Sequence, residues 1–280
     1  MKYIYKIIFL SFLVFSINLI FTNNSSAACA IDANGAITAA AANNGCDDEP
    51  SGYGVVAYKL LLCTSAPIAP TTTTATNLSS CVTVFENAAG SSVTLSNGET
   101  ANLGGTQTMP PPNVYTHGVL HMNNTFAITG KKQFAIAYNG MVSGNGNWCA
   151  TVSNSGFNSS NVQTTNRSIC GDQTITAGTY TETLTSFDTP FSATATINNV
   201  AGTGANITAY MIDTNEFLAV NDADSNNLLG VVTFPNPGNV TVDTTIVDVA
   251  FRVGEGMNVS NDAAGMYLGS GPFAAVITTN

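Results

Sequence analysis

The sequence predicts an all-β fold of antiparallel β-sandwiches, immunoglobulin-like or prealbumin-like, stapled by disulfides. Three observations lead there. Short apolar or alternating runs recur with turn residues at intervals of roughly 8 to 12 positions. No amphipathic helix of useful length stands among them. The six cysteines form an even set, which in an oxidising compartment reads as a disulfide framework.

The oxidising compartment is itself an expectation from the first residues. Lys2 and Lys6 precede an apolar run, Ile7 to Phe21, which a polar stretch closed by Ala27 and Ala28 follows. A positive start, an apolar centre and a small-residue exit form a secretory signal peptide, here residues 1–28. The run is short for a membrane span, so the membrane enters only through this cleaved leader. Cys29 raises lipidation at the cut, but Ser26 stands where a lipoprotein signal wants a large aliphatic residue. The protein is expected to be exported to the periplasm, cell surface or medium.

The elements follow in order. Ile37 to Ala42 supports one or two helical turns within an N-terminal segment, 29–51. Val55 to Leu62 is an apolar run long enough for a buried strand, and Val82 to Phe85 follows Cys81. Val93 to Ser96, Asn97-Gly98 and Glu99 to Leu103 read as a hairpin, because Asn-Gly supplies both left-handed residues of a type I′ turn. Tyr115 to Met122, Thr125 to Thr129 and Lys132 to Tyr138 are the next strands. Phe191, Ala193, Ala195 and Ile197 share one face of another. Ile207 to Ile212, Glu216 to Val220 and Leu228 to Phe234 read as a meander. Val247, Val249, Phe251 and Val253 share a face of a late strand, and Ala274 to Thr278 forms the last.

Chain spacing favours neighbouring pairs among the fifteen possible cysteine pairings: Cys29 with Cys46, Cys63 with Cys81, and Cys149 with Cys170. Each closes a loop poor in core residues, and closing such a loop contributes on the order of 3 kcal/mol. No two cysteines stand in the C-x-x-C spacing of a thiolate metal site.

Two halves echo one another. Ala57-Tyr58 and Ala137-Tyr138 are each followed by a cysteine pair and then by a strand containing Tyr-Thr. This suggests two sandwich domains, 52–138 and 139–280. In the first, YKLLLC at Tyr58 to Cys63, the strand Cys81 to Phe85, Tyr115-Thr116-His117 and Phe126 to Gly130 resemble uncharacterised exported β-proteins of marine bacteria. The resemblance implies a sandwich fold and carries over no activity or functional residue.

Composition excludes some partners. The chain has 17 acidic and 7 basic residues, a net charge of −10, which becomes −12 once Lys2 and Lys6 leave with the leader. A chain this acidic, without a basic cluster, is unsuited to nucleic acid or anionic membranes, since both need Lys and Arg against phosphate. Charged residues are only 9% of the chain, so Asn, Thr, Ser and Gly supply its polarity. Few lysines and arginines also leave trypsin-like proteases few cleavage sites.

Chemistry-bearing patterns are sparse. Asp222, Asp224 and Asn226 open like an oxygen-lined calcium loop, yet Asn227 stands where such loops want Gly and Thr233 where they want Glu. A polar turn is the favoured reading. The only two histidines, His117 and His121, sit four apart on an expected strand, about 13 Å from one another and too far to share an ion. Asp47-Asp48-Glu49 reads as a solvated turn. Trp148 either packs on the adjacent disulfide or stacks on a sugar. The resulting expectation is a non-enzymatic structural or interaction protein, an adhesin-like module or filament subunit, partnered by itself or by cell-surface components. The alternative is a glycan- or calcium-binding module with no other cofactor.

Overall fold

The computed structural model describes residues 28–95, 103–153, 167–188, 190–200, 203–245 and 247–279. The expected leader except Ala28, and most of the Asn97-Gly98 hairpin, lie outside them. A short helix, α1 (Ala39–Asn44), starts where Thr38 caps it by accepting the Ala41 N–H at 3.2 Å, and stops at Gly45 with φ 80°. The rest is strand: β1 (Cys46–Asp48), β2 (Gly52–Cys63), β3 (Cys81–Leu95), β4 (Thr106–Gln107), β5 (Asn113–Asn123), β6 (Thr125–Thr129) and β7 (Lys131–Asn139). After these come β8 (Asn145–Thr151), β9 (Ser168–Gly171), β10 (Tyr180–Thr183), β11 (Thr194–Ile197) and β12 (Asn206–Ile212). The chain closes with β13 (Asn227–Val240), β14 (Val247–Arg252), β15 (Met257–Asp262), β16 (Gly265–Ser270) and β17 (Ala274–Thr279). The fold is all-β as expected, and every ladder between these strands is antiparallel.

One large sheet organises the molecule. Its order is β10-β6-β2-β5-β13-β12-β11, with β3 and then β4 added on the free side of β2. The long strand β2 makes this arrangement: residues 57–63 pair with β5, while residues 52–54 pair with β6. Asn124 lies between β5 and β6, so the sheet forks there, β5 leading to β13 and β6 to β10. Strands from both sides of residue 139 therefore share this sheet, and β7 pairs with β8 across that same position.

Local chemistry sets the irregularities. The ladder between β13 and β5 breaks between Thr233 and Gly238; Pro235 and Pro237 fall in that gap and have no N–H to donate. Phe234 folds back over Gly118, where an added Cβ would stand 2.8 Å from its ring. The strand expected over Glu216 to Val220 is a turn instead. The Asp213 carboxylate accepts the N–H groups of Asn215 and Phe217 at 2.8 and 2.9 Å, holding Glu216 at φ 63°. Asx-turn chemistry overrides the apolar pattern there.

Three smaller sheets, β1-β15-β16, β7-β8-β9 and β14-β17, complete the structure. Their inward residues join one face of the large sheet in the main core, which holds Tyr53, Phe134, Met257 and Leu268. A smaller cluster of Leu61, Cys63, Val119, Ile212 and Leu229 lies apart from it. The loop between Cys63 and Cys81 reaches this second cluster through Leu78, and its Thr71 carbonyl accepts the Leu218 N–H at 2.9 Å.

Candidate functional site

The large sheet, an overlying segment and one end of the β1-β15-β16 sheet enclose a cleft of about 580 Å³. Strand alternation builds its apolar wall, because Leu120 and Met122 of β5 project to the same side as Leu228 and Val232 of β13 and Ile207 of β12. Aromatic rings form the floor. Tyr53, Phe126 and Phe273 stack around one another with centroids 5.3 to 6.4 Å apart, and Phe251 supports Phe273 from behind at 6.3 Å.

Leu184 to Asp188, together with Ser192, form a strap over this wall, with Leu184 and Phe187 facing the cleft. It doubles back on itself, since the Phe187 N–H donates to the Ser192 carbonyl at 2.9 Å. Buried Asn124, at the fork of the sheet, fastens it. Its Nδ2 donates to the carbonyls of Leu184 and Ser225 at 2.8 and 2.9 Å, while its own carbonyl accepts the Leu184 N–H at 2.8 Å. The Ser225 hydroxyl returns a bond to the Thr185 carbonyl at 2.6 Å.

The residues expected to resemble a calcium loop belong to this fastening. Asp222 and Asp224 lie in a single 3-10 turn capped by Asn221. The Thr185 hydroxyl donates to Asp222 Oδ1 and the Asn221 amide to Asp224 Oδ2, each at 2.7 Å. The Asn226 side chain is exposed, and its N–H donates to the Ile212 carbonyl at 3.0 Å. Asp222 thus anchors the strap from outside.

The polar end of the cleft is acidic. Asp47 is 2% exposed and accepts from the Asn258 amide at 2.9 Å, which corrects its reading as part of a solvated turn. Burial follows from β1 pairing with β15, while the next residue, Asp48, faces out to Lys132 at 2.9 Å. Beside it, the Tyr53 hydroxyl donates to the Gly271 carbonyl at 3.1 Å. Burial pushes the Tyr53 hydroxyl pKa well above its usual value, and the Glu182 and Asp47 carboxylates add to that rise. Among the described residues, the other carboxylate lining the cleft is Asp188 on the strap.

Adjacent to this end is a buried ion pair that the sequence did not reveal. Arg167 Nη1 meets Glu182 Oε1 at 2.7 Å with both side chains at most 5% exposed. Glu182 also accepts from Tyr267, the Ser270 N–H and the Ser270 hydroxyl at 3.1, 2.6 and 2.8 Å. The guanidinium lies 4.0 Å from the Tyr267 ring centroid and 5.4 Å from that of Tyr180. Burial raises the Tyr180 hydroxyl to about 12 and pushes Tyr267 up as well. This cluster binds β9, β10 and β16 together. Pairing of a single Arg with one of 17 acids leaves no spacing signature in a chain.

The histidines lie on the sheet face opposite the cleft. His117 Nδ1 meets the Thr116 hydroxyl at 2.8 Å; His121 stands 3.8 Å from Glu216 and packs on Tyr58. Burial lowers the pKa of both. Trp148 is half-buried and alternates along β8 with buried Cys149. It lines a shallow groove with Asn145, Asn147, Asp172 and Gln173, and Lys131 Nζ rests 5.2 Å from its ring centroid. All six cysteines pair as neighbours: Cys29 with Cys46, Cys63 with Cys81, and Cys149 with Cys170. Three disulfides suit an oxidising compartment. No described helix is long and apolar enough to cross a membrane. Comparison with known protein families, curated proteins and solved structures finds no match.

Proposed function

We propose that this protein is an exported, non-enzymatic interaction module that works by holding a small apolar ligand under its strap. The observation that carries this reading is the cleft itself. Its volume of about 580 Å³ lies within the range of pockets that bury a drug-sized molecule, roughly 300 to 1,000 Å³. Its composition supports the same reading, with aromatic and aliphatic walls and a few polar groups at one end. The three disulfides and the buried Arg167–Glu182 cluster suit a fold that must persist outside the cell. Titration with Nile red, a neutral dye that brightens in apolar surroundings, tests the proposal. Saturable one-to-one binding that falls at least tenfold in Ala209→Phe, which fills the wall, is expected. Absence of saturable binding would overturn it.

A glycan-binding reading has one observation of its own, the Trp148 groove with its amide side chains. Trp148 is the sole tryptophan, so its emission reports on that groove directly. Saturable quenching by soluble oligosaccharides, absent in Asn147→Ala, would establish it.

A further inference from the structure

We infer, on the reading that the cleft is a ligand site, that its occupant is a molecule with one unbranched hydrocarbon chain lying across the strands of the large sheet. The lining runs from Tyr53 on β2 through β5, β13 and β12 to Thr194 and Ile197 on β11. Those are four spacings between neighbouring strands, about 19 Å in all. Along the strands the cleft is narrow, taking only Leu120 and Met122 of β5 and Ile207 and Ala209 of β12. A volume of about 580 Å³ drawn out over that distance has a mean section of about 30 Å². That is room for one extended hydrocarbon chain but not for two side by side.

Strand register sets the long axis. Ala195 lies opposite Ala209, Ala209 opposite Gly230, and Gly230 opposite Leu120. Directly opposed residues share a face of a sheet, and these four line the cleft. The neighbouring rows are bulky, with Ile197, Ile207 and Val232 on one side and Leu228 and Met122 on the other. At Gly230 an added Cβ would stand 4.0 Å from its nearest neighbour, so the space above it is open. The β2 end of this track meets the rings of Tyr53, Phe126 and Phe273. At the other end β11 is the last strand of the sheet among the described residues, and its Thr194 and Thr196 are exposed. A polar head stays in water at that edge while the chain runs inward, which avoids the cost of burying it. Each buried methylene then improves affinity about fourfold.

The test is displacement of bound Nile red by octanol, decanol, dodecanol and cyclododecanol, each below its solubility limit. Cyclododecanol has the carbon number of dodecanol closed into a ring, two chains wide. Affinity is expected to rise about fourfold per methylene from octanol to dodecanol. Dodecanol should bind at least tenfold more tightly than cyclododecanol after correction for their difference in water-to-octanol transfer. Gly230→Val, which raises the middle of the track at a position with space for a side chain, should abolish the gain from octanol to dodecanol. Ala195→Leu, on the edge strand, provides a second variant should Gly230→Val fail to fold, with folding checked by circular dichroism. It takes length from the outer end of the track and should weaken dodecanol more than octanol. Cyclododecanol binding as tightly as dodecanol on the corrected scale, or a flat length series, would overturn the single-chain inference while leaving the cleft as a ligand site. The same holds if the series keeps its slope in both variants. Binding of Nile red with displacement by none of the alcohols would also overturn that inference alone. Failure of Nile red itself to bind would remove both readings.

Discussion

Asn124 and Ser225, 101 positions apart in the chain, are joined by a hydrogen bond of 2.9 Å inside the protein. The bond ties the fork of the large sheet to the loop before β13, and the same amide holds the strap at Leu184. A single side chain therefore connects the wall of the cleft to its cover.

The first prediction concerns this latch. Asn124→Ala leaves the Leu184 and Ser225 carbonyls without their donor, and an orphaned buried polar group costs about 1 to 3 kcal/mol. The variant should lose stability in that range in urea unfolding. Faster hydrogen exchange should concentrate at the Leu184, Phe187 and Thr185 amides rather than spread across the sheet. Uniform exchange, or an unchanged midpoint, would show that the strap is held by other means.

The buried Arg167–Glu182 pair should be strongly non-additive under substitution. Removing one partner of a buried pair costs about 3 to 5 kcal/mol, because the other is left uncompensated. Arg167→Met and Glu182→Gln are each expected near that cost. The double variant should be much less destabilised than the sum, since neither charge then remains. Additive losses in the double-mutant cycle would mean that the two groups do not depend on one another.

Much of this architecture is legible in the chain, and the reasons for the remainder differ. The disulfides, β2, β5, β6, β12 and the last strand follow from spacing, alternation and apolar runs. The hairpin of β15 and β16 carried a usable signal, with Met257 and Val259 against Met266 and Leu268 around a Gly turn, all four buried. The cleft did not. It depends on Asn124 splitting one sheet and on Asp47 turning inward, and both are products of long-range pairing that no local pattern encodes.

Alkaline stability should follow the tyrosines. Tyr180 has a folded-state pKa of about 12, raised from 10.0 chiefly by burial, and Tyr53 and Tyr267 shift the same way. The unfolded chain ionises its tyrosines near pH 10, so their contribution is intact below that pH and drains as pH rises toward and beyond 12. Thermal midpoints should be level up to about pH 9.5 and fall steeply above it. Among the described residues the Tyr180 hydroxyl makes no hydrogen bond of good geometry, and only the Arg167 guanidinium lies close enough to interact with it weakly. Tyr180→Phe should therefore cost under about 1 kcal/mol at pH 7 and flatten part of the alkaline decline. A steeper decline in that variant would contradict the burial argument.

At the acid end, His121 acts in the opposite sense. Burial lowers its folded-state pKa, and the proximity of Glu216 only partly offsets this. A depressed histidine contributes stability that is present above its unfolded value of about 6.5 and is lost as pH falls through the folded value. His121→Gln should therefore lose less stability than the parent between pH 7 and pH 5, measured by denaturant midpoints at the two pH values. Equal losses would assign the acid decline elsewhere.

The final prediction separates two roles for Asp222. If its carboxylate anchors the strap through Thr185, its removal matters without any metal present. Asp222→Ala should lower the thermal midpoint in the presence of a chelator, by an amount corresponding to one solvent-exposed hydrogen bond, about 0.5 to 1.5 kcal/mol. Thr185→Val should produce a similar loss, and combining the two should add little, because both remove the same 2.7 Å contact. Millimolar calcium should leave the parent midpoint nearly unchanged, since Asp224 is engaged by Asn221 and the Asn226 side chain faces solvent. A large calcium-dependent rise, lost in Asp224→Ala, would instead make this turn a cation site. The Thr185 contact would then be the arrangement it adopts when empty.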